Sequence, residues 1–339
     1  MSVPLLSVRG LSVAFRDRRG ETLPLREVSF DLRAGQRLAL VGESGSGKSL
    51  TAFAIMRLIR PPGRIASGEI LLEGRDLLGL SARQMAAVRG GEIAMIYQNP
   101  LSAMNPVQTI AHQLVEAIRR HSAVSKDAAR RRAIDLLGEA GVPDAASRIG
   151  SYPHQFSGGM LQRVVIAMAL AADPKLLIAD EATTALDVTT QARIVDLLAR
   201  IVDDRGAAIM FITHDLGVAA ALCDDVQVMY AGRIVERAEA RRFYEHPIHP
   251  YSEALLEAVC RLDAEPDRRL TAIPGNPPLA GAFPSGCAFH PRCPHAVPIC
   301  AEQAPPRVPT GGPGWFAECH LGRERLGGLT LADAKEPLP

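Results

Sequence analysis

Eight consecutive residues, Gly42, Glu43, Ser44, Gly45, Ser46, Gly47, Lys48 and Ser49, have the types and spacing that grip a polyphosphate. The three glycines carry no Cβ and reach positive φ, so the backbone can curl and aim several N–H groups at one anion. Lys48 would set a point charge on the β and γ oxygens, and Ser49 would offer its hydroxyl to magnesium. Further along, the carboxylates Asp180 and Glu181 end an apolar run. Asp180 can hold magnesium through water; Glu181, facing another way, can orient or deprotonate an attacking water. His214 ends a later apolar run and Gln98 an earlier one. Together these groups predict binding and magnesium-dependent hydrolysis of ATP or GTP.

A second chemistry lies near the C-terminus. Cys287, Cys293, Cys300 and Cys319 are separated by five, six and eighteen residues. Zinc sites usually contain tight pairs two to four residues apart, and none is present; the looser gaps suit a four-cysteine iron–sulfur cluster. His290, His295 and His320 keep zinc as an alternative, and four unligated thiols are the plainer one. Cys223 and Cys260 stand apart and are read as packing residues.

The elements that must position these groups follow from periodicity. Residues 37–59 read as a buried strand, the glycine turn and an apolar helix whose positive N-terminus points at the same phosphates. Residues 5–15 and 25–32 alternate like half-buried strands and form an antiparallel layer before the turn. There Phe15 could stack on an adenine ring or pack into its own sheet. PPGRIASG breaks the chain, and residues 69–80 read as a short strand pair turning at Gly74. Residues 92–97 form a strand ending at Gln98, and the two Asn-Pro steps that follow mark the exit from the sheet. A helical region over 108–140 carries a basic cluster, Arg119, Arg120, Lys126, Arg130, Arg131 and Arg132, read as a solvated face. Ser157, Gly158 and Gly159 then open a strongly apolar helix, a second N-terminus fit for an anion. Strands at 176–179 and before His214 flank a helix over 188–204.

Composition sets the outer bounds. In 339 residues, 47% are hydrophobic, enough for a real core, and 38 basic against 37 acidic residues call for no nucleic acid. The start, MSVPLLSVRG, lacks the layout of a secretion signal, and no apolar run nears the ~18 residues needed to span a bilayer. The chain reads as soluble and cytosolic. Twelve of its 25 prolines fall between Pro266 and Pro313, so this stretch cannot build a core of its own and needs staples.

Over roughly residues 5–240 these motifs, in this order, resemble the ATP-binding subunits of ABC transporters. The resemblance implies a P-loop NTPase α/β fold: a RecA-like core, an antiparallel β subdomain and a helical subdomain of about residues 100–160. Gly42–Ser49 look like Walker A, Gln98 like the Q-loop, Ser157–Gly159 like the signature, Asp180 and Glu181 like Walker B, Asp187 like the D-loop aspartate and His214 like the switch histidine. In such proteins two ATPase domains close head to tail, so the second anion-ready helix caps the nucleotide of a partner. With one copy of each motif, this chain implies a homologous second subunit, different or identical. Two departures stand out: the LSGGQ signature is FSGGM here, with Met160, and Ala182 follows Walker B where proline is frequent.

The words HPIHPYSEALLEAV, IPGNPP and SGCAFHPRCPHA resemble the C-terminal extension of dipeptide and oligopeptide importer ATPases, some of which hold a [4Fe-4S] cluster on four such cysteines. That divides the chain at about 1–245 and 246–339. It also implies two transmembrane permease subunits, an extracytoplasmic substrate-binding protein, no nucleic acid, and a peripheral place on the cytoplasmic face of the bacterial inner membrane. Import of nickel or another small solute, or a soluble ABC ATPase without a transporter, are the alternatives.

Overall fold

The computed structural model describes residues 3–17, 20–184, 186–258, 272–312 and 314–327; Cys260 lies outside them. β1 (Leu6–Asp17) and β2 (Gly20–Leu32) form the expected antiparallel pair. After β3 (Arg37–Val41) and α1 (Lys48–Ile55), the chain returns to this layer as β4 (Gly63–Leu72) and β5 (Arg75–Asp76), giving the order β2-β1-β4-β5. β4 begins inside the segment expected to break the chain. Gly68 lets the strand run through: it sits at φ +101° beside a register shift in the antiparallel pairing with β1, and a Cβ there would stand 2.6 Å from the Arg9 carbonyl oxygen.

The second sheet grows through α2 (Ala82–Gly91), β6 (Ile93–Ile96), α3 (Ile110–His121), α4 (Lys126–Glu139), α5 (Ala145–Arg148), α6 (Gly158–Ala169), β7 (Leu176–Asp180), α7 (Val188–Arg205), β8 (Ala208–Thr213), α8 (Leu216–Leu222), β9 (Asp225–Tyr230) and β10 (Arg233–Glu239). The single helical region expected over 108–140 is two helices, because Ser125 accepts the Ala128 N–H and starts a new N-terminus. Strands β9-β3-β8-β7-β6 lie parallel in that order. Their side chains alternate between two cores. Ala39, Val41, Leu177, Ala179, Ile209 and Phe211 face the helices, while Leu38, Leu40, Leu176, Ile178, Met210 and Ile212 face the antiparallel layer. Burial on both faces explains why these strands read as continuous apolar runs.

After α9 (Ala240–Glu245) and α10 (Pro250–Glu257), the proline-rich stretch contributes α11 (Pro298–Glu302), β11 (Arg307–Pro309), β12 (Phe316–Glu318) and α12 (Gly322–Gly327). Far from standing on staples alone, it borrows the existing core. β12 pairs with β10, Phe316 enters the core beneath the antiparallel layer, and Phe289 enters the helical one. Lacking apolar periodicity of its own, the stretch buries its few large side chains against surfaces already built. No described helix is long and apolar enough to cross a membrane.

Candidate functional site

Parallel register sets the site. Val41 stands level with Thr213, Asp180 with Ile212 and Ile96 with Ala179, so the residues that follow these strands emerge at one edge of the sheet. Out of β3 runs the glycine loop. Gly42, Gly45 and Gly47 take φ of +149°, +79° and +107°, and a Cβ on Gly42 would meet the Met229 carbonyl oxygen at 2.3 Å. Gly47 caps α1 with no side-chain partner, leaving the first-turn N–H groups free for an anion. Ser46 Oγ is buried with no hydrogen-bond partner, an orphan that a phosphate oxygen would satisfy. Ser44 is exposed beside it.

Lys48 is only 4% exposed and donates to the Gly42 and Glu43 carbonyls at 2.8 and 3.0 Å. Burial lowers its pKa, against the pull of Glu181, Asp180 and Glu43. Across the loop, Ser49 Oγ donates to Asp180 Oδ1 at 2.8 Å. Burial raises the Asp180 pKa, and the Ser49 hydroxyl opposes the rise. Two hard oxygens held this close, one a carboxylate, fit a magnesium ion by donor type.

Glu181 sits one residue past β7 at φ +49°, which swings its side chain out of the strand's alternation. Its Oε2 accepts from Gln98 Nε2 at 2.7 Å and from the Thr184 hydroxyl at 3.2 Å, while His214 Nδ1 lies 3.5 Å from Oε1. Gln98, Glu181 and His214 thus form one cluster. Thr184 was missed in the sequence, where only its place three residues after Glu181 could have signalled it.

Ser157 caps α6, accepting the Met160 N–H at 3.4 Å, so the methionine that replaces glutamine supplies a backbone donor that needs no particular side chain. Gly158 and Gly159 form the first turn, and a Cβ on Gly159 would stand 2.7 Å from Thr190 Cγ2. Asp187 caps α7 by accepting the Thr190 N–H at 2.9 Å. Signature and Asp187 therefore meet through Thr190, on a surface of α6 and α7. Phe15 lies opposite Gly63 in the β1–β4 pair, and a Cβ on Gly63 would stand 2.7 Å from its ring.

A further contact set has no counterpart in the sequence reading. The Glu43 carboxylate takes a bidentate pair from Arg292, 2.7 and 3.0 Å, and the Glu43 N–H donates to the Tyr251 hydroxyl at 2.8 Å. The partners stand 249 and 208 positions away, so no local signal announces them.

The four-cysteine ligand set expected from the sequence is not assembled. Among the described residues, no group of three or more His, Cys, Asp or Glu side chains is arranged to hold a metal ion. Cys287, Cys293, Cys300 and Cys319 do line one cavity of about 10 Å³ with His249, His290, His295 and His320. Burial pushes the Cys287 thiol up to about 11 and also raises Cys293 and Cys319. The donors suit a soft metal by type. Cys223 is buried, as expected of a packing residue.

Residues 25–184 match the family model described as ABC transporter, and residues 235–300 match that of the oligopeptide/dipeptide transporter C-terminal region. The chain is 50% identical over 303 residues to the oligopeptide transport ATP-binding protein OppD of Bacillus subtilis, covering 89% of this chain and 85% of that one. It is 43% identical over 327 residues to the dipeptide transport ATP-binding protein DppD of Escherichia coli, covering 96% and 99%. Among solved structures, the dimeric ATP-binding cassette MJ0796 bound to ADP and Pi is similar at TM-score 0.63 and 25% identity, covering 70% of this chain and 99% of that one. With a glycine loop, paired carboxylates and histidine at one sheet edge, and relatives matched nearly end to end, this chain belongs to the ABC-transporter ATP-binding subunits of the oligopeptide/dipeptide type.

Proposed function

We propose that this chain hydrolyses ATP as the motor subunit of an importer that energises uptake of dipeptides or oligopeptides across the bacterial cytoplasmic membrane. The observation that carries the reading is the convergence of Lys48, Ser49, Asp180, Gln98, Glu181 and His214 at one edge of the sheet. The loop N–H groups and Lys48 bind the polyphosphate, and Ser46 Oγ gains its missing partner there. Ser49, Asp180 and Gln98 would hold magnesium, which when bound neutralises charge on the phosphate oxygens. Glu181 takes the proton of the attacking water, with Gln98 and His214 fixing the direction of its carboxylate. Phe15 offers an aromatic face for the adenine.

Ser157, Gly158, Gly159 and Asp187 serve a nucleotide held by a second ATPase subunit, homologous or identical. The dimeric state of the related MJ0796 cassette supports this enclosure. Two permease subunits would dock near the helical subdomain, where Leu101 and Val107 are exposed, and an extracytoplasmic binding protein would act through them. The subunit is then peripheral, on the cytoplasmic face of the membrane. Reconstitution with permeases and binding protein tests the reading: peptide uptake into vesicles must require ATP on the side of this subunit, and uptake without ATP refutes it. Uptake of nickel, but not peptide, by that assembly would favour the small-solute alternative.

The convergence of four cysteines on one cavity supports a soft-metal site, a [4Fe-4S] cluster or else zinc, in the extension. Protein prepared without oxygen is expected to carry iron and sulfide, or zinc, and Cys293→Ser to lose it. Elemental analysis checks this, and a colourless, metal-free preparation leaves the four as thiols.

A further inference from the structure

The glycine loop carries a carboxylate of its own. Glu43 sits second in a segment whose work is to attract a polyanion, and an unpaired negative charge there would oppose that work. Its carboxylate is paired directly with a buried cation, beyond the longer-range pull of Lys48. Arg292, 7% exposed, donates twice to the carboxylate, donates from Nε to the Pro274 carbonyl at 2.8 Å, and lies 3.3 Å from the Tyr230 hydroxyl. Tyr251 accepts the Glu43 N–H, so both the side chain and the backbone of this one loop residue are held from the C-terminal stretch.

What holds the holders is equally defined. Tyr230, Tyr251 and Phe289 pack as three rings with centroids 4.5 to 5.3 Å apart. Arg292 ends a short turn, His290–Arg292, fixed between Cys287 and Cys293. The Cys287 N–H donates to the Cys300 carbonyl at 2.8 Å, tying the turn to α11. The brace is therefore built on rings and backbone bonds, with little freedom to follow a wandering loop.

We propose that Arg292 and Tyr251 are positioning residues of the nucleotide site, which fix Glu43 and cancel its charge so that the phosphate loop presents net attraction to ATP. The proposal rests on the ATP reading above. It makes the C-terminal extension part of the nucleotide site, acting on affinity through one residue of the loop.

The test titrates the full chain with fluorescent N-methylanthraniloyl-ATP and measures steady-state ATP hydrolysis by the assembled complex. Arg292→Gln removes the cation at similar length and is expected to weaken nucleotide binding about tenfold, or about 1.4 kcal/mol. The loss falls on KM more than on kcat. Arg292→Lys restores part of it. The deciding variant is the pair Glu43→Gln with Arg292→Gln: with the carboxylate gone the cation is no longer needed, and affinity returns to within about threefold of the parent. A double variant as weak as Arg292→Gln alone means that Arg292 only packs, and the proposal fails. Should Arg292→Gln not fold, Glu43→Gln alone decides: parental or tighter binding agrees, and weaker binding overturns. Lys48→Ala, run beside them, tests the nucleotide reading itself and separates its failure from failure of the brace.

Discussion

Glu181→Gln lowers the turnover of the assembled complex by about 10²–10⁴-fold and leaves nucleotide affinity within about threefold of the parent. The amide keeps the size and hydrogen-bonding reach of the carboxylate, so the contacts to Gln98, Thr184 and His214 can persist. What disappears is the capacity to take a proton. Because Asp180 and Ser49 are untouched, the pair proposed to hold magnesium remains, and binding and hydrolysis separate. Single-turnover hydrolysis beside nucleotide titration measures both. Undiminished hydrolysis removes Glu181 from the role of base.

Lys48→Ala acts on the other quantity. The ammonium is nearly enclosed and already bonded to two loop carbonyls, so removing it strips the loop of its only side-chain cation and of two internal bonds. Charged hydrogen bonds are worth roughly 1.5–3 kcal/mol each, and nucleotide affinity is expected to fall about 10–100-fold, with hydrolysis falling alongside. Equilibrium titration with a fluorescent nucleotide reads the first, and the complex's kcat/KM the second. Affinity equal to the parent's would mean that the polyphosphate sits elsewhere.

The edge that gathers the candidate residues was legible in the chain because each of its parts is local. A buried parallel strand announces itself as an apolar run, and the residue that ends it, whether Gln98, Asp180 or His214, is fixed at the sheet edge by register alone. The signature serine was legible for a like reason, since an N-cap needs only its own next turn. What stayed hidden was everything that depends on distant partners. Arg292 and Tyr251 lie in segments whose composition suggests an appendage, and only the folded chain brings them onto Glu43. Cysteine spacing tells less: it brings four thiols to one cavity, but spacing does not dictate how their sulfurs are aimed. The break expected at PPGRIASG failed because a glycine that ends regular structure elsewhere is, in β4, the residue that lets two paired strands shift register without a clash.

The pairing of β12 with β10 also bears on how the molecule comes off the ribosome. Phe316 is made long after Arg237, the residue it lies opposite, so a growing chain shows the open flank of β10 through the synthesis of everything between them. An unpaired strand flank is a template for another chain. Fragments that stop after the nucleotide motifs would keep this flank bare, whereas a terminus placed beyond Glu318 keeps it covered.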